Sequence, residues 1–105
     1  MGTYPVRRVA EAVERIINRH KVAAIEIVGA KDGEKTVEYY FAMKPVWHGA
    51  IVIYTMPRDG TFIPVVAECK HVIDAVAVMY SYVEEDFASR GYKIAEVNVK
   101  EAQII

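Results

Sequence analysis

The chain contains no leucine. Leucine is ordinarily among the commonest residues of a globular protein. Its place is taken by sixteen valines and eleven isoleucines, whose branched Cβ favours the pleated strand. The absence excludes assembly through a leucine zipper. A single cysteine, Cys69, excludes an internal disulfide and a cysteine-rich metal centre. Only three residues are Asn or Gln, which together with the β-branched surplus is a thermophile's composition. Four prolines and six glycines in 105 residues leave no linker, so a single domain over 1–105 is expected. No apolar run reaches the roughly 18 to 20 residues of a membrane helix. The opening MGTYPVRRVAEAVERI passes into an amphipathic pattern instead of a signal-peptide block, and a soluble, cytoplasmic protein without membrane contact is expected.

Charge of one sign is also lacking: the net value is −1. A nucleic-acid partner therefore has to be met by a local patch. The distribution is uneven. Residues 1–21 carry five basic groups against two acidic ones, residues 71–91 carry four acidic against one basic, and 44–70 hold a surplus of one positive charge.

Pro5 stands where a helix begins, and Val6, Val9, Ala10, Val13, Ile16 and Ile17 recur every three or four residues. The spacing predicts a helix over 5–20, with Arg19, His20 and Lys21 at the negative end of its dipole. VAAIEIVGA (22–30) reads as a strand, and KDGEK (31–35) as a hairpin turn with Asp32-Gly33 at positive φ. Strands follow over 36–43, 50–56 and 61–68, separated by the connection KPVWHG and the turn PRDG (57–60). Pro64 lacks an N–H and assigns the fourth strand to an edge or a bulge. From 71 to 89 the apolar residues cover more than one stripe, which predicts a long helix buried against the sheet and against the first helix or a second subunit. Gly91 suits its C-terminal cap. YKIAEVNV (92–99) reads as a last strand with a bulge or an end of pairing between Ile94 and Val97, and Ile104-Ile105 either docks or meets a partner. The order α-β-β-β-β-α-β with tight turns predicts an α+β domain: an antiparallel sheet of four to five strands with both helices on one face.

The stretch Val37–Phe62 holds six of the eleven aromatic residues. Side chains alternate along a strand. Ile51 and Ile53 then fall in a core set, as do Ile63 and Val65, whereas Tyr54 and Phe62 fall on a second, more aromatic face. Tyr39 with Phe41, or else Tyr40, joins that face according to register. A ring-bearing face flanked by cations meets the needs of single-stranded DNA or RNA. Bases stack on rings for about 1–3 kcal/mol each whatever their identity, and Lys and Arg follow the phosphates. The expected stacking residues are Tyr39, Phe41, Trp47, Tyr54 and Phe62; the expected phosphate contacts are Lys44, Arg58 and Lys70. Trp47 and His48, in a loop, would cap the groove. Two other readings apply to the same residues: rings that fill a core, and a homodimer interface over an exposed apolar face. A dimer whose subunits wall a shared groove satisfies both partner readings.

Enzymatic chemistry has one candidate, the run ECKH. Cys69 precedes a helix N-terminus, and His71 and Asp74 follow, so a thiol nucleophile with a base is conceivable. The two-residue offset does not bring the side chains together by itself, and a lone cysteine more often packs as a small apolar group. The expected function is non-enzymatic. His20, His48 and His71 are scattered without ligand spacing, so no metal and no cofactor are expected. GAKDGEK lacks the glycine spacing of a phosphate loop, and Glu84, Glu85 and Asp86 read as a solvated acidic face.

The succession of N-terminal helix, ring-rich hairpin-linked strands and long helix, with VEYYFAMKPVWHGAIVIY at its centre, resembles the archaeal ThermoDBP and ThermoDBP-related single-stranded-DNA-binding proteins over residues 5–90. The resemblance implies an archaeal, thermophilic protein that binds single strands in an aromatic and basic cleft within an oligomer. It assigns no individual residue. This chain departs from the pattern by having no leucine-rich zipper helix and by ending in a strand-like segment.

Overall fold

A computed structural model of the chain describes residues 6–56 and 60–102. The first helix, α1, spans Val6–Ile17 and buries Val9, Ala10, Val13, Ile16 and Ile17, the stripe that the periodicity picks out. It stops three residues short of the predicted end because His20 turns into the left-handed region at φ 59°. Pro5 and Ile104-Ile105 lie outside the described residues, as do Pro57–Asp59 of the second predicted turn.

Five strands follow: β1 (Ala23–Lys31), β2 (Glu34–Met43), β3 (Ile51–Thr55), β4 (Ile63–Cys69) and, after helix α2 (Val72–Ser89), β5 (Lys93–Glu101). They form one antiparallel sheet in the order β4-β3-β2-β1-β5. The fold is the α+β arrangement expected, element for element. The β1–β2 turn has Asp32 at φ 40° and Gly33 at φ 86°. A Cβ on Gly33 would meet nothing, so that glycine is required by its dihedral alone. Both helices lie on one face, packed on each other. α1 sits over β5, β1 and β2, and α2 over β4, β3 and β5. The core between layers is built from Ile25, Ile27, Ile51 and Ile53 of the sheet against Val13, Val76, Met79, Val83 and Phe87 of the helices.

Register settles the two adjacent tyrosines. Ile25 pairs with Tyr40 and Glu26 with Tyr39, so Tyr40 points under the helices and Tyr39 away from them. Tyr40 is fully buried, with its ring edge-on to Tyr82 at 6.3 Å. Burial pushes its phenol far above the ordinary tyrosine range, and Glu38 adds to the effect. Its hydroxyl makes no hydrogen bond of good geometry. The Thr55 hydroxyl stands near enough to ease its ionisation slightly but donates its own proton to the Tyr39 carbonyl. An unsatisfied buried hydroxyl costs about 1–3 kcal/mol. Tyr40→Phe is therefore expected to leave stability unchanged or raise it by about 1 kcal/mol, measured by urea unfolding; a loss of stability would reveal a hydrogen bond that matters.

Three features depart from simple alternation. In β4, Tyr54 faces Pro64 but Ile53 faces Val66, so Val65 is an extra residue, and a second shift precedes Cys69. Val66, not Ile63, therefore enters the core, and Ile63 is exposed. Proline cannot donate to the ladder, which is why the slip occurs beside Pro64. In β5 the slip takes the form of a bulge: Val28 pairs with Glu96 and Gly29 with Ile94, so the register shifts by one residue at Ala95. In α2, burial is confined to one side: Val72, Ala75, Val76, Met79, Tyr80, Val83 and Phe87 are covered, whereas Ile73, Val78 and Tyr82 are exposed. The helix packs on the sheet and on α1 as expected, but burial on most of its sides is not met within one chain.

α2 ends in a Schellman motif. The Tyr92 N–H donates to the Phe87 carbonyl at 2.8 Å and the Gly91 N–H to the Ala88 carbonyl at 3.1 Å, with Gly91 at φ 83°. Arg90, beside it, ion-pairs with Asp86 at 2.7 Å and with Glu38 of β2, tying the helix end to the sheet.

Candidate nucleic-acid interface

The sheet face away from the helices is assembled by pairing register. Phe41 of β2 lies between Ala24 of β1 and Tyr54 of β3, and Tyr54 faces Pro64 of β4. Tyr39 lies two residues along, opposite Glu26. Phe62 precedes β4 and meets Tyr54 edge to face, centroids 6.0 Å apart. Four of the five predicted stacking residues therefore share one side: Tyr39, Phe41, Tyr54 and Phe62. They are spread out, not packed as a cluster; Tyr54 with Phe62 is their one ring contact among the described residues. Phe62 is 60% exposed and Tyr39 43%, while Phe41 and Tyr54 are half-buried.

Trp47 is placed apart from them. The segment Pro45–Gly49 is a tight turn in which the His48 and Gly49 N–H groups both donate to the Pro45 carbonyl, at 3.1 and 3.3 Å. Gly49 takes φ 73°. The His48 Nε2 lies 3.0 Å from the Ala67 carbonyl of β4, which anchors the turn to the sheet. The turn holds Trp47 out at 85% exposure, touching the His48 ring and none of the four sheet rings.

Lys44 and Lys70 are not among the rings. Lys44 follows Tyr40 and Ala42 in alternation and so belongs to the helix side. With Lys70 it lines a recess of about 380 Å³ that also receives Arg7, Glu11, Glu14 and His71, between α1 and the start of α2. Arg58 lies outside the described residues. Three lysines that sequence reasoning missed are on the ring face. Lys35 and Lys93 flank Ala30, and Lys100 faces Ala24, next to Phe41. Their signal was strand alternation combined with the pairing of β5 to β1.

One acid interrupts this face. Glu26 accepts hydrogen bonds from the Asn98 amide at 3.1 Å and the Tyr39 hydroxyl at 3.0 Å. The Asn98 bond, then the Tyr39 bond, hold its carboxyl below the usual carboxylate range, and the same contact raises the Tyr39 phenol. Glu26 is thus an anion at neutral pH in the middle of the ring-bearing surface.

Elsewhere, Cys69 packs against the core while His71 is exposed at the start of α2, without a side-chain capping bond. Among the described residues, no group of three or more His, Cys, Asp or Glu converges as a metal site, and no helix is long and apolar enough to cross a membrane. No family model matches this chain, and neither a curated protein nor a solved structure matches it.

Proposed function

We propose that the protein binds single-stranded nucleic acid, without reading its sequence, along the open face of the sheet. One observation carries this reading: Tyr39, Phe41, Tyr54 and Phe62 share a solvent-facing side with Lys35, Lys93 and Lys100, and none of the three lysines is in an ion pair among the described residues. Rings accept bases of any identity, and free ammonium groups accept phosphate oxygens. Trp47 extends the stacking surface from its anchored turn. Lys44 and Lys70 fall to a secondary role, contributing charge from the far side of the sheet end, and Arg58 keeps its expected role as a phosphate contact.

The test is a titration of a fluorescent homopolymeric DNA or RNA strand at several salt concentrations. Affinity is expected to fall linearly on a log–log salt plot. No binding at low salt ends the proposal. Glu26 supplies a sharper check, because it repels phosphate. Glu26→Gln is expected to tighten binding about two- to fivefold, the scale of an exposed charge interaction. The pH dependence has a definite sign. The Glu26 pKa is depressed in the folded chain, so the carboxylate persists well into acid. Wild-type binding then strengthens as pH falls through that depressed value, and the Gln variant lacks this step. A Glu26→Gln protein that binds more weakly would put the nucleic acid elsewhere.

A further inference from the structure

Beneath the C-terminal half of α2 the helix and sheet layers leave a cleft of about 400 Å³, the size of a small-molecule site. Glu38 and Tyr40 line it from the side of β2 that faces the helices, and Tyr82, Asp86 and Arg90 line it from α2 and its cap. Val37, Met56 and Ile63 give it an apolar border.

The Tyr40 hydroxyl is fully buried at this cleft and has no hydrogen-bond partner. Negative charge is in surplus beside it. Arg90 reaches Glu38 Oε2 and Asp86 Oδ2 through one nitrogen, so two carboxylates share one cation. Each keeps its other oxygen without a partner among the described residues. The guanidinium is held in place by the rings of Phe87 and Tyr92, whose centroids lie 5.4 and 5.7 Å from its carbon. Burial first, then Glu38, Tyr82 and Asp86, raise the Tyr40 phenol, so those three groups stand within electrostatic reach of the hydroxyl.

We propose that this cleft binds a primary alkylammonium ion, taken up as a free small amine. An ammonium group has three N–H donors. The cleft supplies three acceptors: Glu38 Oε1, Asp86 Oδ1 and the Tyr40 oxygen. The ligand's charge brings the cleft to two cations against two carboxylates. The rings of Tyr40 and Tyr82, edge to face at 6.3 Å, favour a cation. A short alkyl stem lies along Val37, Met56 and Ile63. An anion would meet the surplus carboxylate charge, and a divalent metal ion wants about six oxygens with no arginine among them. The site is on the helix side of the sheet, apart from the open face, and stands whatever that face binds.

The test is a titration of the full chain with n-pentylammonium chloride, followed by amide chemical shifts, with sodium chloride and 1-pentanol at the same concentrations as references. Saturable shifts are expected at Glu38, Tyr40, Asp86 and Arg90 with the amine and with neither reference. Tyr40→Phe should weaken binding about tenfold, the scale of one hydrogen bond to a charged group. That variant is expected to keep its stability, so lost binding with a native spectrum supports the site. Asp86→Asn removes the surplus charge and should weaken binding by a similar factor. The absence of saturable shifts at these residues overturns the proposal, as does a response that 1-pentanol reproduces or one spread over Glu84, Glu85 and the other exposed acids. A Tyr40→Phe protein that binds as tightly as the wild type overturns it too, and leaves the buried hydroxyl to water.

Discussion

Phe87→Ala is expected to lower the free energy of unfolding by about 3–5 kcal/mol, read from urea or thermal denaturation. The side chain is fully buried. It occupies the space above Gly29: a Cβ there would come within 2.8 Å of Phe87 Cε2 and 3.1 Å of Thr36 Cγ2. The glycine and the ring are two halves of one fit, a close approach of helix to sheet that only a residue without Cβ permits. Phe87 also accepts the Tyr92 N–H at the helix end and packs its ring near that of Tyr92, centroids 6.2 Å apart. Truncation thus opens a cavity and removes the ring packing on Tyr92, while the backbone bond of the cap is kept. A domain of this size has only about 5–15 kcal/mol in hand, so the variant should be close to unfolding at growth temperatures. A loss below about 1 kcal/mol, the mean for unselected substitutions, would show that the sheet collapses onto the helix without the ring.

The second large effect concerns the open face. Phe41→Ala with Tyr54→Ala should weaken oligonucleotide binding about thirtyfold or more, from about 1–3 kcal/mol of stacking per ring. The two positions are direct cross-strand partners, so their effects need not add. Both are half-buried on the side away from the helices, and the double variant should keep its fold by circular dichroism. Lost binding with a retained fold supports the proposed surface. Retained binding removes the two central rings from it, and with them the reading.

The legible and illegible parts of this chain divide along physical lines. Asp32-Gly33 and Gly91 announce positive φ, and the stripe from Val9 to Ile17 announces a buried helix face; these are local signals, and the structure follows them. Tyr39 and Tyr40 could not be separated by inspection, because a period of two fits either register. Only the pairing of Tyr40 with Ile25 decides it. The Val65 bulge moved Val66 into the core for the same kind of reason, a ladder slip beside a residue with no N–H. The lysines of the open face were overlooked because Lys93 and Lys100 join it through β5, some seventy residues beyond its partner β1. Lys44 was put with the rings from sequence proximity, whereas alternation from Tyr40 sends it to the opposite layer.

The pairing of Ile27 with Val97 orders events in time. The β1–β2 hairpin closes on nearby residues and can form within microseconds, but the other flank of β1 stays open until the far end of the chain arrives. During synthesis, the ribosome therefore exposes a fully formed apolar strand, Ile25 and Ile27 included, for nearly the whole passage of the domain. A nascent or truncated product that stops before Lys93 has a sticky flank where the finished protein has a neighbour, and it is this species that chaperones and proteases would have to manage.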